Sequence, residues 1–413
     1  MRSISKSFKP IYGILLVNLI GFVLLYFYKK PFEKITIYIG LTTMVLTSAI
    51  YLFILIKKLG DEYLFLIVSM LASIGIIMIY RLDRELGIKQ VIWFTGGTVL
   101  FLISYFVFSR WNLWSRLIYL YAGTSLVLFL LTLIFGSDIK GANNWIVVAG
   151  FNFQPSEIIK VLYVMFIASY FTTPEKLNIP EITLLERKIS VHNRGVFIAC
   201  VYMFIGFLIL QREWGSALLF FIVFYLFLYI YGTGLKTLLF NGAMAFMGGS
   251  LGYLFLYHIK VRIDIWLDPW KDVSNKGYQI AQSLFAIGAG GFFGTGLGLG
   301  RPDFIPEVHT DFIFSAICEE MGIFGGIAVI LLYFLLIYRG FKIALSIREP
   351  FGKSVALGLT LMFGFQTFII LGGVTKLTPL TGITLPFISY GGSSLVSSFI
   401  SLGILQAVSK KAL

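Results

Sequence analysis

The stretch "YLFLIVSMLASIGIIMIY", residues 63–80, runs for eighteen residues without a charged side chain. A helix of this length approaches the roughly 20 residues needed to cross the hydrocarbon core of a bilayer. Comparable apolar stretches recur along the 413-residue chain. They predict twelve spans, at residues 11–28, 35–56, 63–80, 90–108, 117–135, 155–172, 196–211, 214–231, 235–257, 311–338, 354–374 and 386–408.

The composition supports the same fold class. Hydrophobic residues make up 58% of the chain, charged residues only 13%, and the mean hydropathy is +0.89. A soluble protein of this length would need more charge on its surface, so we expect an all-α polytopic membrane protein. The basic N-terminus leads into a long apolar run without a small-residue cleavage site, so a cleaved signal peptide is not expected.

The charges of the connecting loops predict the orientation. The loops on the N-terminal side hold 18 basic and six acidic residues, whereas those on the opposite side hold 14 and 11. These balances, +12 against +3, place both termini in the cytoplasm and require an even number of spans. The same rule explains the net charge of +13, so no nucleic-acid partner is expected.

The long connection, residues 258–310, falls outside the cell in this topology. It includes "DPWKDVSNKGYQ", residues 268–279. Its aromatic and apolar residues make disorder a poor interpretation, and ordered loops of this length are usually functional. Asp272 could act as a general base or bind a divalent cation. From the spacing alone, a solvated turn aspartate is the simpler interpretation.

A few charged residues fall inside or at the edge of predicted spans. Glu157 follows Pro155 at a helix start, and Lys160 lies three residues later on the same face. A charge at the bilayer centre costs about 2.5–3.5 kcal/mol, so this pair indicates either a functional site or a self-satisfied ion pair. The same argument predicts that Glu319 or Glu320 faces a cavity or a neighbouring helix.

Several motifs are too incomplete to indicate a nucleotide or metal site. "GAGGFFGTGLGLG" (288–300) has no strand and helix around it, and "GKS" (352–354) lacks the first glycine of a P-loop, so no nucleotide site is expected. The scattered histidines and cysteines do not predict a zinc site or disulfides. In "PLTGITLPFISYGGSS" (379–394), proline and glycine interrupt a span entrance, and irregular backbone at that depth must be buried or line a wet cavity.

Four motifs together resemble the SEDS family, the RodA/FtsW/SpoVE group of bacterial cell-wall proteins. They are "FQPSEIIK", "KGYQIAQSLFAIGAGGFFGTGLG", "IPEVHTDFIFSAICEEMG" and "PLTGITLPFISYGGSS", in the family's order. The resemblance implies a ten-span core at residues 61–413, with the outer loop at 258–310, in the bacterial cytoplasmic membrane. Residues 1–60 would then form an additional two-span segment.

The resemblance also implies an activity, the polymerisation of lipid II into peptidoglycan beside a class B penicillin-binding protein. Asp272 matches the family's essential aspartate, because it precedes Gly277-Tyr278-Gln279 at the family's spacing. Arg262, Lys271, Arg301, Lys160 or a Mg²⁺ or Mn²⁺ ion could stabilise the leaving diphosphate. The motifs imply substrate-binding contacts at Trp145, Glu157, Lys160, Lys271, Gln279, Arg301, His309, Ser389, Gly391, Gly392 and Ser393. Membrane lipid is expected as a further partner.

Two departures and two alternative functions accompany the resemblance. The family's "QPDLGTA" is "QREWGSA" here (211–217), so Arg212 replaces proline, and Glu213 receives no catalytic role. "GANNW" (141–145) lacks the family's basic pair. A lipid II flippase would use Glu157, Lys160, Glu319 and Glu320 as a polar path across the membrane. A scaffold would bind the transpeptidase without turnover.

Overall fold

The computed structural model describes residues 9–28, 32–139, 142–148, 151–173, 182–184, 187–189 and 193–411. Within them the chain is overwhelmingly helical, as the sequence predicts. The two chain ends, and most of the predicted cytoplasmic segment 173–195, lie outside the described residues. The helices are α1 (Lys9–Tyr28), α2 (Lys34–Lys57), α3 (Glu62–Leu82), α4 (Arg84–Arg110), α5 (Ile118–Phe135), α6 (Pro155–Thr172), α7 (Asn193–Leu210), α8 (Trp214–Ile230), α9 (Leu235–Phe255), α10 (Tyr257–Leu267), α11 (Tyr278–Gly290), α12 (Ile313–Ser346), α13 (Pro350–Val374) and α14 (Gly392–Lys410).

Each of the twelve predicted spans coincides with one helix of the α1–α9 or α12–α14 series. Ten of the described helices are long and apolar enough to cross a membrane; α6 and the 17-residue α8 are not among these ten. The polytopic, all-α membrane fold is therefore confirmed, whereas the number twelve and the cytoplasmic placement of both termini stay predictions.

Short strands, which the apolar pattern of the sequence does not predict, interrupt the helices. Strands β1 (Ser137–Ile139), β2 (Ala142–Val148) and β3 (Phe151–Phe153) form an antiparallel sheet between α5 and α6. Strands β4 (Ile182–Leu184) and β5 (Arg187–Ile189) pair separately. The first sheet carries Trp145 directly before the helix that holds Glu157.

Helix starts follow ordinary capping chemistry. The Asp61 carboxylate accepts hydrogen bonds from the backbone N–H groups of Tyr63 and Leu64, at 2.9 and 3.2 Å, before α3. Asp83 caps α4 through Leu86 N at 2.9 Å. Such caps satisfy backbone donors that a helix leaves without internal partners. They also fix where the neighbouring spans α3 and α4 begin.

The hairpin α1–α2 packs against α3 and adds hydrogen bonds within the apolar interior. Asn18 Nδ2 donates to Ser73 Oγ at 2.8 Å, and the Thr36 and Tyr80 hydroxyls lie 2.8 Å apart. Gly21 brings α1 so close to α3 that an added Cβ would lie 2.6 Å from Ile77. Close approach at small residues and interhelical hydrogen bonds are the usual sources of helix association in lipid.

Helix α12 is broken at Gly322, whose φ of 68° and ψ of −173° are not helical. The glycine-rich stretch 288–300 satisfies the freed backbone groups: Thr295 N and Gly296 N donate to the carbonyls of Glu319 and Glu320, and Ile323 N donates to Gly291 O. This is the role of the glycines, because irregular backbone at membrane depth must find partners within the protein.

The outer loop, residues 258–310, is ordered and helical, as its aromatic content indicates. Helix α10 leads into a 3₁₀ turn at Pro269–Asp272, and α11 follows. Ser283 of α11 anchors the loop, since its hydroxyl lies 2.7 Å from the Ser315 hydroxyl and 3.0 Å from Val374 O. Trp266 Nε1 also donates to Lys376 O at 3.1 Å. The loop is thereby attached to α12 and to the segment after α13.

Candidate active site

Asp272 ends the 3₁₀ turn of the outer loop. Asp268 caps that turn by accepting from Trp270 N at 3.1 Å. The Asp272 side chain is half-buried, and its Oδ1 accepts from Asn275 Nδ2 at 3.0 Å. In the described part of the chain, the hydrogen-bond partners of Asp272 come from its own turn. The carboxylate is held in place while most of its acceptor capacity stays available.

Gly277 explains the spacing between this aspartate and the Gly-Tyr-Gln element. Its N–H donates to Asp272 O at 2.9 Å. A Cβ at this position would lie 2.1 Å from Pro269 O and 3.0 Å from Asp272 O. Only glycine lets the turn close this tightly, and α11 begins at the next residue. The motif therefore encodes a backbone shape that presents the Asp272 side chain.

A second, buried cluster surrounds Glu157 and Lys160 near the start of α6. Lys160 Nζ lies 2.9 Å from Glu157 Oε1, and Ser397 Oγ of α14 donates to Glu157 Oε2 at 2.9 Å. The two charged residues are only 4% and 5% exposed. They line a cavity of about 20 Å³ together with Gln366 and serines of α14. A space of that size holds about one water molecule.

Glu213 extends this polar region from the α7–α8 connection. It is 7% exposed, and its Oε1 accepts from Gln154 Nε2 at 3.1 Å and from Ser156 Oγ at 2.9 Å. Burial raises the pKa of Glu213 above its ordinary value, while the hydrogen bonds from Gln154 and Ser156 and the charge of Lys160 act in the opposite direction. The longer carboxylate is thus an interior hydrogen-bond acceptor.

Residues Ser389–Ser393 lie in the irregular segment before α14, where it contacts Gln154 before α6 and Thr310 before α12. Ser393 Oγ accepts from Gln154 N at 3.1 Å. Ser389 Oγ donates to Thr310 O at 2.6 Å and accepts from Leu385 N at 2.9 Å. Gly391 precedes α14, and a Cβ on Gly392 would lie 2.3 Å from the Trp93 ring. The hydroxyls therefore hold an irregular backbone in a fixed shape.

The remaining predicted residues lie in other segments of the described chain. The carbonyl of His309 accepts from Tyr390 N at 2.8 Å, and its Nε2 lies 3.8 Å from Glu307 Oε2. The backbone N–H of Arg301 donates to Glu319 Oε1 at 2.6 Å. Lys271 is exposed beside Asp272, while Gln279 in α11 and Trp145 in β2 are half-buried.

The structure thus brings the predicted residues together in three groups. Glu157 and Lys160 share the buried cluster. Ser389, Ser393 and His309 lie at the irregular segment before α14, where the carbonyl of His309 accepts from Tyr390 N. Asp272 and Lys271 belong to the outer turn. Across the described residues, no three or more His, Cys, Asp or Glu side chains converge as a metal site. Asp272 by itself offers one carboxylate to a cation.

Sequence reasoning missed several polar residues that the fold uses. Ser397, the partner of Glu157, has no local signal because it lies 240 residues away. Arg81 was not singled out, yet its Nε lies 2.6 Å from Glu320 Oε1 and its Nη2 donates to Gly300 O at 2.9 Å. The position of Arg81 at the end of a predicted span was a usable signal. Glu319 and Glu320 bind the glycine-rich stretch and a neighbouring helix.

The arrangement matches a known family. A family model described as "Cell cycle protein", covering FtsW, RodA and SpoVE proteins, matches residues 61–412. The chain belongs to this family. As a SEDS protein it is 34% identical over 373 residues to the peptidoglycan glycosyltransferase RodA of Mycobacterium bovis, covering 85% of this chain and 78% of that protein. It is 35% identical over 373 residues to the stage V sporulation protein E of Bacillus subtilis, covering 86% and 98%.

Solved structures of SEDS proteins also superpose on this chain. One chain from a peptidoglycan synthase complex that coordinates polymerisation and crosslinking superposes with a TM-score of 0.68 at 28% identity, covering 85% of this chain and 97% of that one. The crystal structure of the rod shape-determining protein RodA of Thermus thermophilus gives a TM-score of 0.59 at 26% identity, covering 85% and 96%.

Proposed function

We propose that this protein is a peptidoglycan glycosyltransferase that polymerises lipid II at the outer face of the cytoplasmic membrane. The relatives' names and the family motifs supply the reaction class. The observation that carries the residue assignment is the Asp272 turn: a half-buried carboxylate, held by Asn275 and Gly277 on a loop attached to the membrane core.

The proposed reaction is an inverting glycosyl transfer. The acceptor sugar hydroxyl attacks the anomeric carbon of the donor strand, Asp272 takes the hydroxyl proton, and polyprenyl diphosphate leaves as the glycosidic bond forms. General base catalysis of this kind contributes about 10²–10⁴-fold. The fixed turn contributes by orientation, because a preorganised base needs no rearrangement when the hydroxyl reacts.

The buried cluster suits a supporting role in the same reaction. Lys160 neutralises the Glu157 charge, and Ser397 donates a hydrogen bond to the same carboxylate. Ser393, which accepts from Gln154 N, joins the start of α6 to the start of α14. Rigid polar networks of this kind position elements that contact a substrate. We assign Glu157, Lys160 and Ser393 to substrate binding and Asp272 to the reacting hydroxyl.

A divalent cation and a transpeptidase complete the proposal. Mg²⁺ and Mn²⁺ bind through one or two carboxylates together with substrate phosphates, and Asp272 is suitable as such a single carboxylate ligand. A class B penicillin-binding protein is the proposed partner, in line with the synthase complex that this fold resembles. Polymerisation measured with and without EDTA, and with and without a co-expressed transpeptidase, tests both parts.

The decisive experiment uses purified protein and fluorescent lipid II. Asp272→Asn should lower the rate of glycan formation by about 10²–10⁴-fold, with an unchanged thermal transition. Asp268→Asn is the matched control, because asparagine still caps the turn, and it should stay near the wild-type rate. Full activity in Asp272→Asn would refute the assignment of the base.

The flippase alternative makes the opposite prediction. It requires a continuous polar path through Glu157, Lys160, Glu319 and Glu320. In the structure Glu157 binds Lys160 and Ser397, whereas Glu320 binds Arg81 and Gly298 N, so these charges belong to two separate clusters. Lipid II translocation in vesicles without polymer, tolerant of Asp272→Asn, would favour transport over synthesis.

A further inference from the structure

A second cavity, of about 220 Å³, lies between the N-terminal hairpin and the core, and is here called the hairpin cavity. Among the described residues, all those that line it are apolar. They include Ile20 and Leu24 of α1, Ile74 and Met78 of α3, Leu297 of the glycine-rich stretch, and Met321 beside the break in α12. Helix α1 precedes the residues that match the family model, so the family core alone does not form this cavity.

The hairpin cavity is held open by contacts that fix α1 at two places. Toward the start of α1, Asn18 Nδ2 donates to Ser73 Oγ at 2.8 Å. At the end of α1, the Tyr28 ring lies against the glycine-rich stretch, since a Cβ on Gly298 would be 2.9 Å from it. The ten residues between Asn18 and Tyr28 span about 15 Å of helix. A rigid helix fixed at both places cannot collapse onto the space between them.

The hairpin cavity has a closed back and an open edge. Ile74 and Met78 on α3 are buried, whereas Ile20 and Leu24 are each 50% exposed and Met321 is 38% exposed. Both α1 and α3 are long and apolar enough to cross the membrane, so the open edge faces lipid rather than water. The predicted topology places the end of α1 at Tyr28 on the outer side, and the edge therefore opens to the outer leaflet.

We propose that the hairpin cavity binds one acyl chain of a phospholipid from the outer leaflet. Water does not suit the space, because a buried water molecule needs polar partners, and an apolar cavity of about 150 Å³ in a soluble protein stays dry and takes up benzene. A helix, about 10 Å across, is too wide for it. An acyl chain is narrow and flexible, and it is already present at the open edge. The inference goes beyond the proposed function and does not depend on it.

Binding is favoured by packing. Lipid tails are as apolar as the cavity wall, so transfer from the bilayer supplies no hydrophobic driving force. Side chains beside a void lose their dispersion contacts, and a bound chain restores them. The flexible thioethers of Met78 and Met321 adapt to a chain whose position varies.

The bound chain would also connect the hairpin to the break in α12. It touches α1 on one side and Leu297 on the other, and Leu297 follows the backbone groups of Thr295 and Gly296 that bond to the carbonyls of Glu319 and Glu320. A ligand that binds the folded state alone stabilises it. The thermal transition should therefore fall when phospholipid is removed.

The experiment captures the chain in place. The full protein is reconstituted in nanodiscs of phosphatidylcholine that carries a photoactivated diazirine midway along one acyl chain, and the crosslinks are mapped by mass spectrometry. Residues 74–78 of α3 should be labelled although they are buried, whereas the equally buried Met165 of α6 should not. Leu24→Trp should lower the labelling of residues 74–78 by about tenfold or more, because the indole takes up the space that the chain needs. Leu19→Trp is the matched control, since Leu19 is 51% exposed on the same helix and does not line the cavity.

Several outcomes overturn the proposal. Residues 74–78 without label, or labelled equally in Leu24→Trp and wild type, would show that no acyl chain enters. Val17→Phe fills the other end of the same cavity and gives the same test if Leu24→Trp loses the wild-type thermal transition. Unlabelled polyprenyl phosphate added to the nanodiscs should leave the labelling unchanged, and its loss would assign the cavity to a polyprenyl chain. Asp272→Asn should be labelled like wild type, so failure of the proposed function is recognised separately.

Discussion

The Asp272 turn and the Glu157 cluster both present a carboxylate, but they hold it in opposite ways. Glu157 is 4% exposed and is bound by Lys160 and Ser397 from two helices. Asp272 is half-buried and is bound by its own turn. A buried charge needs long-range partners because desolvation is expensive, whereas a carboxylate that must accept a proton needs acceptor capacity. The first arrangement suits structure and positioning, and the second suits the proposed role of Asp272 as a base.

The largest expected effect comes from breaking the buried ion pair of the Glu157 cluster. Glu157→Gln leaves the Lys160 ammonium without its carboxylate and should destabilise the protein by roughly 3–5 kcal/mol. Denaturation of the purified protein measures this loss. The double variant Glu157→Gln/Lys160→Met should recover much of it, because no lone buried charge remains. A single variant as stable as wild type would show that the pair is solvated.

A second prediction concerns the shape of the Asp272 turn. Gly277→Ala should lower polymerisation by about a hundredfold, since a displacement near 1 Å from the reactive geometry costs that much. The clash is with Pro269 O at 2.1 Å, so the Asp272 turn must shift while the membrane core keeps its thermal transition. Gly288→Ala, in the helix that follows Gly277, is the control, because nothing lies within 4 Å of its Cβ position. An active Gly277→Ala would show that the turn tolerates movement.

Glu213 should make the stability of the protein depend on pH, with an effect smaller than the two above. Its pKa is raised above the ordinary 4.5 by burial, so the folded state holds the proton more tightly than the unfolded state. The stabilising contribution is therefore present below the ordinary pKa and is lost as the pH rises through the folded pKa. Glu213→Gln should be more stable than wild type at neutral pH, and thermal unfolding should show the difference shrinking on acidification. A difference independent of pH would contradict this.

The smallest effect tests an uncharged contact in the same apolar surroundings. Asn18→Leu removes the hydrogen bond to Ser73 and should cost about 0.6 kcal/mol, the average for such contacts between membrane helices. Thr43→Val is the control, because in the described part of the chain the Thr43 hydroxyl donates within its own helix, to Ile39 O at 2.9 Å. A cost as large as that of Glu157→Gln would remove the distinction between charged and neutral contacts.

Local patterns in the sequence predict much of this architecture. The apolar runs locate the helices, Pro155 marks the start of α6, and the spacing of Glu157 and Lys160 predicts the ion pair found at 2.9 Å. Each of these features is set within a few residues. The order of the outer loop also follows from its aromatic residues, two of which, Trp270 and Phe285, lie 5.7 Å apart.

Features that depend on distant parts of the chain could not be predicted. The sheet β1–β3 replaces a short polar loop. Two of its strands have only three residues, and the seven residues of β2, "ANNWIVV", do not alternate between apolar and polar. Ser397 and Arg81 meet their acidic partners only because α14 and α3 pack beside α6 and α12. The Trp214 and His258 rings, 5.5 Å apart, likewise meet only when α8 and α10 are in their final places. Tertiary packing decides these contacts.

The break at Gly322 has a consequence for protein engineering. Residues 290–296 bond to the backbone on both sides of the break, at Glu319, Glu320 and Ile323. The outer end of α12 therefore belongs to the loop as one exchangeable module. A chimera that swaps outer loops between relatives should place its second junction beyond Ile323, inside the continuous helix, rather than at the apparent membrane boundary near residue 310.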